Sequence, residues 1–216
     1  MSSRSNILTR IRAAYGRQGE APAEMREAAR AYIGARAQGP RPKSDWDPIE
    51  RFRVRVVALA STLDEVETLA SVPDAVARYL QRNGLPPEAV CWAELTGLDW
   101  ASRGIRVEAR RAQGADRVGI TGCACAIAET GTLMLLSGAA TASSVSLVPE
   151  THIAIVRAGE IVKGMEEAWA LLRERYGALP RAVNFVSGPS RTADIEQTLV
   201  LGAHGPSRVH IILVSQ

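Results

Sequence analysis

The sequence predicts an α/β fold: a mostly parallel sheet with helices on both faces, preceded by an N-terminal helical arm. Three observations predict it. Short β-branched runs recur between helical stretches, and a proline-rich segment separates an Ala-, Glu- and Arg-rich start from the remainder. The third is size: 216 residues, 46% of them hydrophobic, suit one α/β domain with some additional helix.

In chain order, residues 5–17 place Ile7, Leu8, Ile11 and Tyr15 at helical spacing. Residues 22–38, PAEMREAARAYIGARAQ, put Met25, Ala29, Tyr32 and Ile33 on one face of a second helix. The segment GPRPKSDWDP (39–48) then holds three prolines, each removing an amide donor and restricting its predecessor. Residues 1–48 are therefore read as a helical arm and linker, and 49–216 as the α/β domain. Ile49, Phe52, Val56 and Leu59 predict a helix, although VRVV inside it also suits a strand. PDAVARYLQRN (73–83) predicts another, stopped by Gly84. Strands are expected at AVCWA (89–93), IRVEA (105–109), TLMLL (132–136), HIAIV (152–156), AVNFV (182–186) and VHIILV (209–214). A helix over 164–176, with Met165, Ala168, Trp169 and Leu172 on one stripe, falls between two of them.

Charge and composition exclude several functions. Lys and Arg total 26 against 23 acidic residues, and the densest basic stretch, RPKSDWDPIERFRVR (41–55), is interleaved with acids. Nucleic acid is not an expected partner. Residues 130–149 carry no charge, but hydroxyls and glycines punctuate them, so no membrane span is expected. The opening residues contain no long apolar stretch before a small-residue cleavage site, which predicts a cytoplasmic protein. The three cysteines are Cys91, Cys123 and Cys125, and one Cys-x-Cys pair cannot supply the four ligands of a cluster or a structural zinc. Buried or idle thiols, with no metal or cofactor in this chain, are the expectation. His152 and His210 fall at strand positions, where a hydrogen-bonded structural histidine is the default.

Three stretches can carry chemistry, each beside an expected strand. GITGCACAIAETGT (119–132) lacks both the dinucleotide and the Walker A glycine patterns. What it offers is Glu129 before Thr130, Gly131 and Thr132. That carboxylate can fix the turn through nearby donors, contact a ligand, or act as nucleophile or general base. In FVSGPSRTADIE (185–196), Gly188 and Pro189 break the chain, and Thr192 suits a helix N-cap with Asp194 and Glu196 complementing the dipole. Arg191 does not fit there, since a cation at a helix N-terminus calls for an anion. In LGAHGPSRVHIILV (201–214), His204 is the expected ionisable ligand contact, followed by Gly205 and Pro206.

AETGTLMLLSG, SLVPETHIAIV, FVSGPSRTADIE and GAHGPSRVHIILV, in this order and spacing, resemble the lactate-utilisation protein C family, the LUD domain. The resemblance covers roughly residues 49–216. It implies a fold like that of the sugar-phosphate isomerase and CoA-transferase superfamily. It also implies a non-redox component of a cytosolic system oxidising L-lactate to pyruvate, whose partner subunits carry the iron-sulfur clusters. By position, Glu129, Thr130, Gly131 and Thr132 match the family's Glu/Asp-Thr-Gly-Thr motif; Ser187, Gly188, Ser190, Arg191, Thr192 and Asp194 match Ser-Gly-Pro-Ser-Arg-Thr-x-Asp; His204 and Gly205 match His-Gly-Pro. The three motifs are expected to converge on one pocket, where Arg191 takes the carboxylate of a small 2-hydroxy or 2-oxo acid or the phosphate of a larger ligand. Two other classes stay open. Ala128-Glu129-Thr130-Gly131 is similar to the Ser-Glu-Asn-Gly around the glutamyl nucleophile of some CoA transferases, which points to an acyl-CoA transferase-like enzyme. A metabolite-sensing or interaction module without turnover uses the same pocket differently.

Overall fold

The computed structural model describes residues 2–16, 20–195 and 198–216, and the side chains at 193–199 fall outside that description. The chain divides into two units, Met1–Lys43 and Ser44–Gln216. In the first, α1 (Ser3–Ala14) is capped by the Ser2 hydroxyl, which accepts the Ser5 N–H, and α2 (Ala23–Ala35) follows. Neither helix buries a residue.

The second unit runs α3 (Pro48–Ala58), β1 (Thr62–Val66), α4 (Val72–Arg82), β2 (Glu88–Cys91), β3 (Arg106–Ala109), β4 (Val118–Thr121), β5 (Cys125–Ile127) and β6 (Thr132–Leu136). It continues with α5 (Ser144–Leu147), β7 (Thr151–Arg157), β8 (Ile161–Val162), α6 (Met165–Tyr176), β9 (Val183–Val186), β10 (Arg191–Ile195), β11 (Thr198–Leu201) and β12 (Arg208–Val214). Asp47 starts α3 by accepting the Glu50 N–H at 2.9 Å, and Pro48 stands first, where its missing donor costs nothing. Helical periodicity then buries Phe52 and Val56 together.

Six strands form a wholly parallel central sheet in the order β1-β12-β7-β4-β2-β3. The strands at its middle are apolar along nearly their whole length because both faces are covered; Ile153, Ala154, Ile155 and Val156 of β7 and Ile211, Ile212, Leu213 and Val214 of β12 are all buried. Val72, Ala75, Val76, Tyr79 and Leu80 of α4 join the same core. The chain is thus α/β with a parallel central sheet and packed helices.

A second sheet, β8-β5-β6-β9, holds two of the strands expected in the first, residues 132–136 and 182–186. The turn after β5 folds the chain directly back, so β5 and β6 pair antiparallel, as do β6 and β9. Strand alternation gives this sheet two apolar faces. Cys125, Ile127, Met134 and Leu136 meet Ala168 and Leu172 of α6, while Ala126, Leu133 and Leu135 enter the main core. Among the described residues no helix is long and apolar enough to cross a membrane.

Both strand histidines are structural. His152 Nε2 lies 2.8 Å from Thr121 Oγ1, and His210 Nδ1 lies 2.8 Å from Thr62 Oγ1 with its ring stacked 4.0 Å from Tyr79. Burial pushes both imidazoles down to about 4, so the rings stay neutral at pH 7.

Candidate functional site

Two of the three motif segments gather around the last turn of α3, which feeds β1 at the amino edge of the parallel sheet, and the third joins them through Ser190. Gly131 takes φ +68°, and a Cβ there would stand 2.9 Å from the Arg55 carbonyl carbon and Cβ. Gly188 takes φ +76°, and a Cβ there would collide with the Leu59 carbonyl oxygen. Both glycines therefore serve conformation and close approach to the same helix turn. Between them runs a line of hydroxyls. Thr130 Oγ1 lies 2.7 Å from Thr132 Oγ1, which lies 2.7 Å from Ser187 Oγ. Three O–H groups sharing two hydrogen bonds keep one proton to donate at one end and lone pairs at the other. Thr132 is buried, and both ends of the line, Thr130 and Ser187, are exposed. Glu129 is half-buried, and its N–H donates to Lys163 O at 3.0 Å.

The helix expected to begin at Thr192 is absent; the chain forms strand β10 instead. Arg191 pairs with Leu201, Thr192 with Val200 and Ile195 with Thr198 in an antiparallel hairpin. Local capping grammar lost to hairpin pairing, in which β-branched Thr192, Ile195, Thr198 and Val200 suit strands better than helix. Arg191 therefore sits at no helix N-terminus. Its Nη2 donates to Leu59 O at 3.3 Å, against the C-terminal end of α3, where the dipole favours a cation. The Asp194 side chain and Glu196 lie outside the described residues.

The second and third motifs meet through the main chain. The Ser190 N–H donates to Pro206 O at 2.9 Å, the Gly202 N–H donates to Ser190 O at 2.9 Å, and a Cβ on Gly205 would lie 3.4 Å from Ser190 Cβ. Pro206 is buried there, whereas His204 is exposed on the loop between. Ser187, Gly188, Ser190, Arg191, Gly205, Thr130, Gly131 and Thr132 are thus brought into one neighbourhood, and no contact ties His204 to it among the described residues.

Sequence reasoning missed a second constellation, at the carboxyl edge of the parallel sheet, where open α/β sheets take ligands. A cleft of about 130 Å³ is lined by Glu94, Cys123, Arg157, Glu160 and Arg175. Glu94 follows β2, Cys123 follows β4, and Arg157 ends β7. Burial raises the Glu160 carboxyl, opposed by Arg157 and Arg175; burial, Glu160, Cys125 and Glu94 together raise the Cys123 thiol well above its usual value. Cys125, by contrast, belongs to the smaller core, its Sγ 3.7 Å from Met134 Sδ. The available signal was the first polar residue beyond each parallel strand, but VGIT (118–121) was not read as a strand. Among the described residues, no three His, Cys, Asp or Glu side chains group as a metal ion requires.

Comparison with known proteins matches this architecture. The family model described as LUD domain covers residues 49–214. Lactate utilization protein C of Bacillus subtilis (strain 168) is 39% identical over 130 residues, 54% of this chain and 54% of that protein. Lactate utilization protein C 1 of Bacillus mycoides (strain KBAB4) is 45% identical over 100 residues, 45% of this chain and 43% of that one. The chain spans about half the length of the curated relatives it matches. The crystal structure of a DUF162 family protein from Deinococcus radiodurans superposes with a TM-score of 0.57 at 24% identity, over 80% of this chain and 99% of that one, and shares its fold.

Proposed function

Because this chain belongs to the LUD domain family, we propose that it serves lactate utilisation as a non-redox component of a cytoplasmic system oxidising L-lactate to pyruvate. Partner subunits hold the iron-sulfur clusters, and this chain binds a small anion at the junction of its three motifs. The name carried by relatives at about 40% identity supports the lactate reading.

One observation carries the binding part: the line Thr130–Thr132–Ser187, anchored at its buried centre and open at both ends, beside Arg191. A carboxylate placed at either end receives an O–H donor, because the relay reverses by rotating three hydroxyls. Arg191 spends one N–H on Leu59 O, and a guanidinium has five to give. Glu129 stands beside the same turn, where it contacts the ligand or fixes the turn that does.

The test is gentle purification of the full chain from lactate-grown source cells, with assay of the eluate for iron-sulfur proteins and lactate-dependent dye reduction. Co-purifying cluster proteins, with activity that falls in Arg191→Ala, are expected. Full activity in both Arg191→Ala and Glu129→Gln would remove the binding part. Unimpaired growth on lactate without the chain would remove the lactate reading itself.

A further inference from the structure

A second recess at the carboxyl edge is chemically unlike the first. The loop after β6 crosses the ends of β2 and β3: the Ala93 N–H donates to Ala140 O at 3.2 Å, and Trp92 Nε1 donates to Ala142 O at 3.3 Å. Beside that loop opens a cleft of about 770 Å³, lined by Arg111, Ser137, Ser143, Ser144 and Arg181 among small residues. No acidic side chain lines it, whereas Glu94 and Glu160 line the neighbouring cleft. Its two arginines are exposed, and neither is ion-paired among the described residues.

The serines add directed donors. Ser144 Oγ accepts the Ala112 N–H at 3.0 Å, Ser137 Oγ accepts the Ala182 N–H at 2.8 Å, and Ser143 Oγ accepts from Asn184 Nδ2 at 3.0 Å. An N–H can only donate, so each serine is the acceptor in its bond and keeps its own proton to give elsewhere. Those same bonds hold the three oxygens in place, and each proton can rotate to meet an acceptor in the cleft. Among the described residues none of the three protons has another acceptor.

Three anchored hydroxyls and two guanidiniums, with no carboxylate lining the cleft, suit a group with several anionic oxygens better than a single carboxylate. The cleft is also far larger than a three-carbon acid and lies within the usual range for metabolite sites. We propose that the cleft between Arg111 and Arg181 binds the phosphate group of a phosphorylated small metabolite, with Ser137, Ser143 and Ser144 as its hydroxyl donors. The site uses none of the residues gathered around Arg191 and Thr132, so it is independent of the anion placed there.

Isothermal titration of the full chain with glycerol phosphate, AMP and inorganic phosphate tests it. Saturable binding of at least one organic phosphate is expected, weakened about tenfold by Arg111→Ala and again by Arg181→Ala. Arg191→Ala, at the other edge of the sheet, is expected to leave that affinity unchanged. Tighter binding of inorganic phosphate than of either ester would overturn the organic part of the proposal. No saturable binding of any probe, equal binding in the Arg111→Ala/Arg181→Ala double variant, or loss on Arg191→Ala would overturn the site.

Discussion

Thr132 Oγ1 lies 2.7 Å from Ser187 Oγ, joining two motifs 55 residues apart in the chain. The bond is the side-chain link between the turn after β5 and the turn after β9, and Thr132 supplies it from a buried position. Thr132→Val keeps the volume and removes the hydroxyl, while Thr130 and Ser187 can turn to water. A loss of about 1 kcal/mol in unfolding free energy is expected. A double-mutant cycle with Ser187→Ala should return a coupling of about 0.5–1 kcal/mol, and purely additive effects would show that the bond does not form in solution.

Gly188→Ala should destabilise far more than a positive φ alone explains. Gly84, at φ +61°, has nothing within 4 Å of an added Cβ, so Gly84→Ala measures the conformational cost by itself, about 1 kcal/mol. Gly188 adds a collision with the Leu59 carbonyl, which α3 cannot move without disturbing β1. Gly188→Ala is expected to cost at least about 3 kcal/mol. Equal urea midpoints for the two variants would contradict the close approach of this turn to α3.

Much of the fold was legible because periodicity survives in apolar elements. TLMLL, HIAIV and VHIILV declared buried strands, and PDAVARYLQRN declared α4. TLDEV was missed because two adjacent acids, Asp64 and Glu65, break its alternation at the sheet edge, and VGIT because four residues with a glycine carry little pattern. The β10–β11 hairpin was hidden differently: Thr-Ala-Asp-Ile-Glu reads as helix capping locally, and only its partner strand decides against that. In the site, the glycine and hydroxyl residues were visible as motifs. Their common anchor, the last turn of α3, was not, since nothing in the sequence says which helix end a distant glycine will meet.

Acid should destabilise the protein through its two buried histidines. The unfolded chain protonates its imidazoles below the ordinary value of 6.5, while folded His152 and His210 resist until about 4. The unfolded state therefore binds more protons in that window, so the stability contributed by the neutral rings is complete above about 6.5 and is lost as pH falls toward 4. The shift corresponds to roughly 3 kcal/mol for each ring at the acid limit. Urea midpoints measured across this window should fall with pH, and His152→Gln should flatten the slope. A midpoint independent of pH over that range would show that the rings are not held neutral.

Cys123 is expected to be the slowly reactive thiol of the carboxyl edge. It lines the cleft and is only half-buried, so a small reagent can reach it, unlike buried Cys91 and Cys125. Its thiolate, the reacting form, is disfavoured by burial first and then by Glu160, Cys125 and Glu94, against which Arg157 acts alone. Alkylation by iodoacetamide at neutral pH should therefore be slow, rise steadily with pH, and map to Cys123 by peptide mass spectrometry. Glu160→Gln removes one opposing charge and should speed the reaction at fixed pH, whereas Arg157→Gln should slow it further. Rates that ignore both substitutions would mean that the charged groups around this cleft do not govern the thiol.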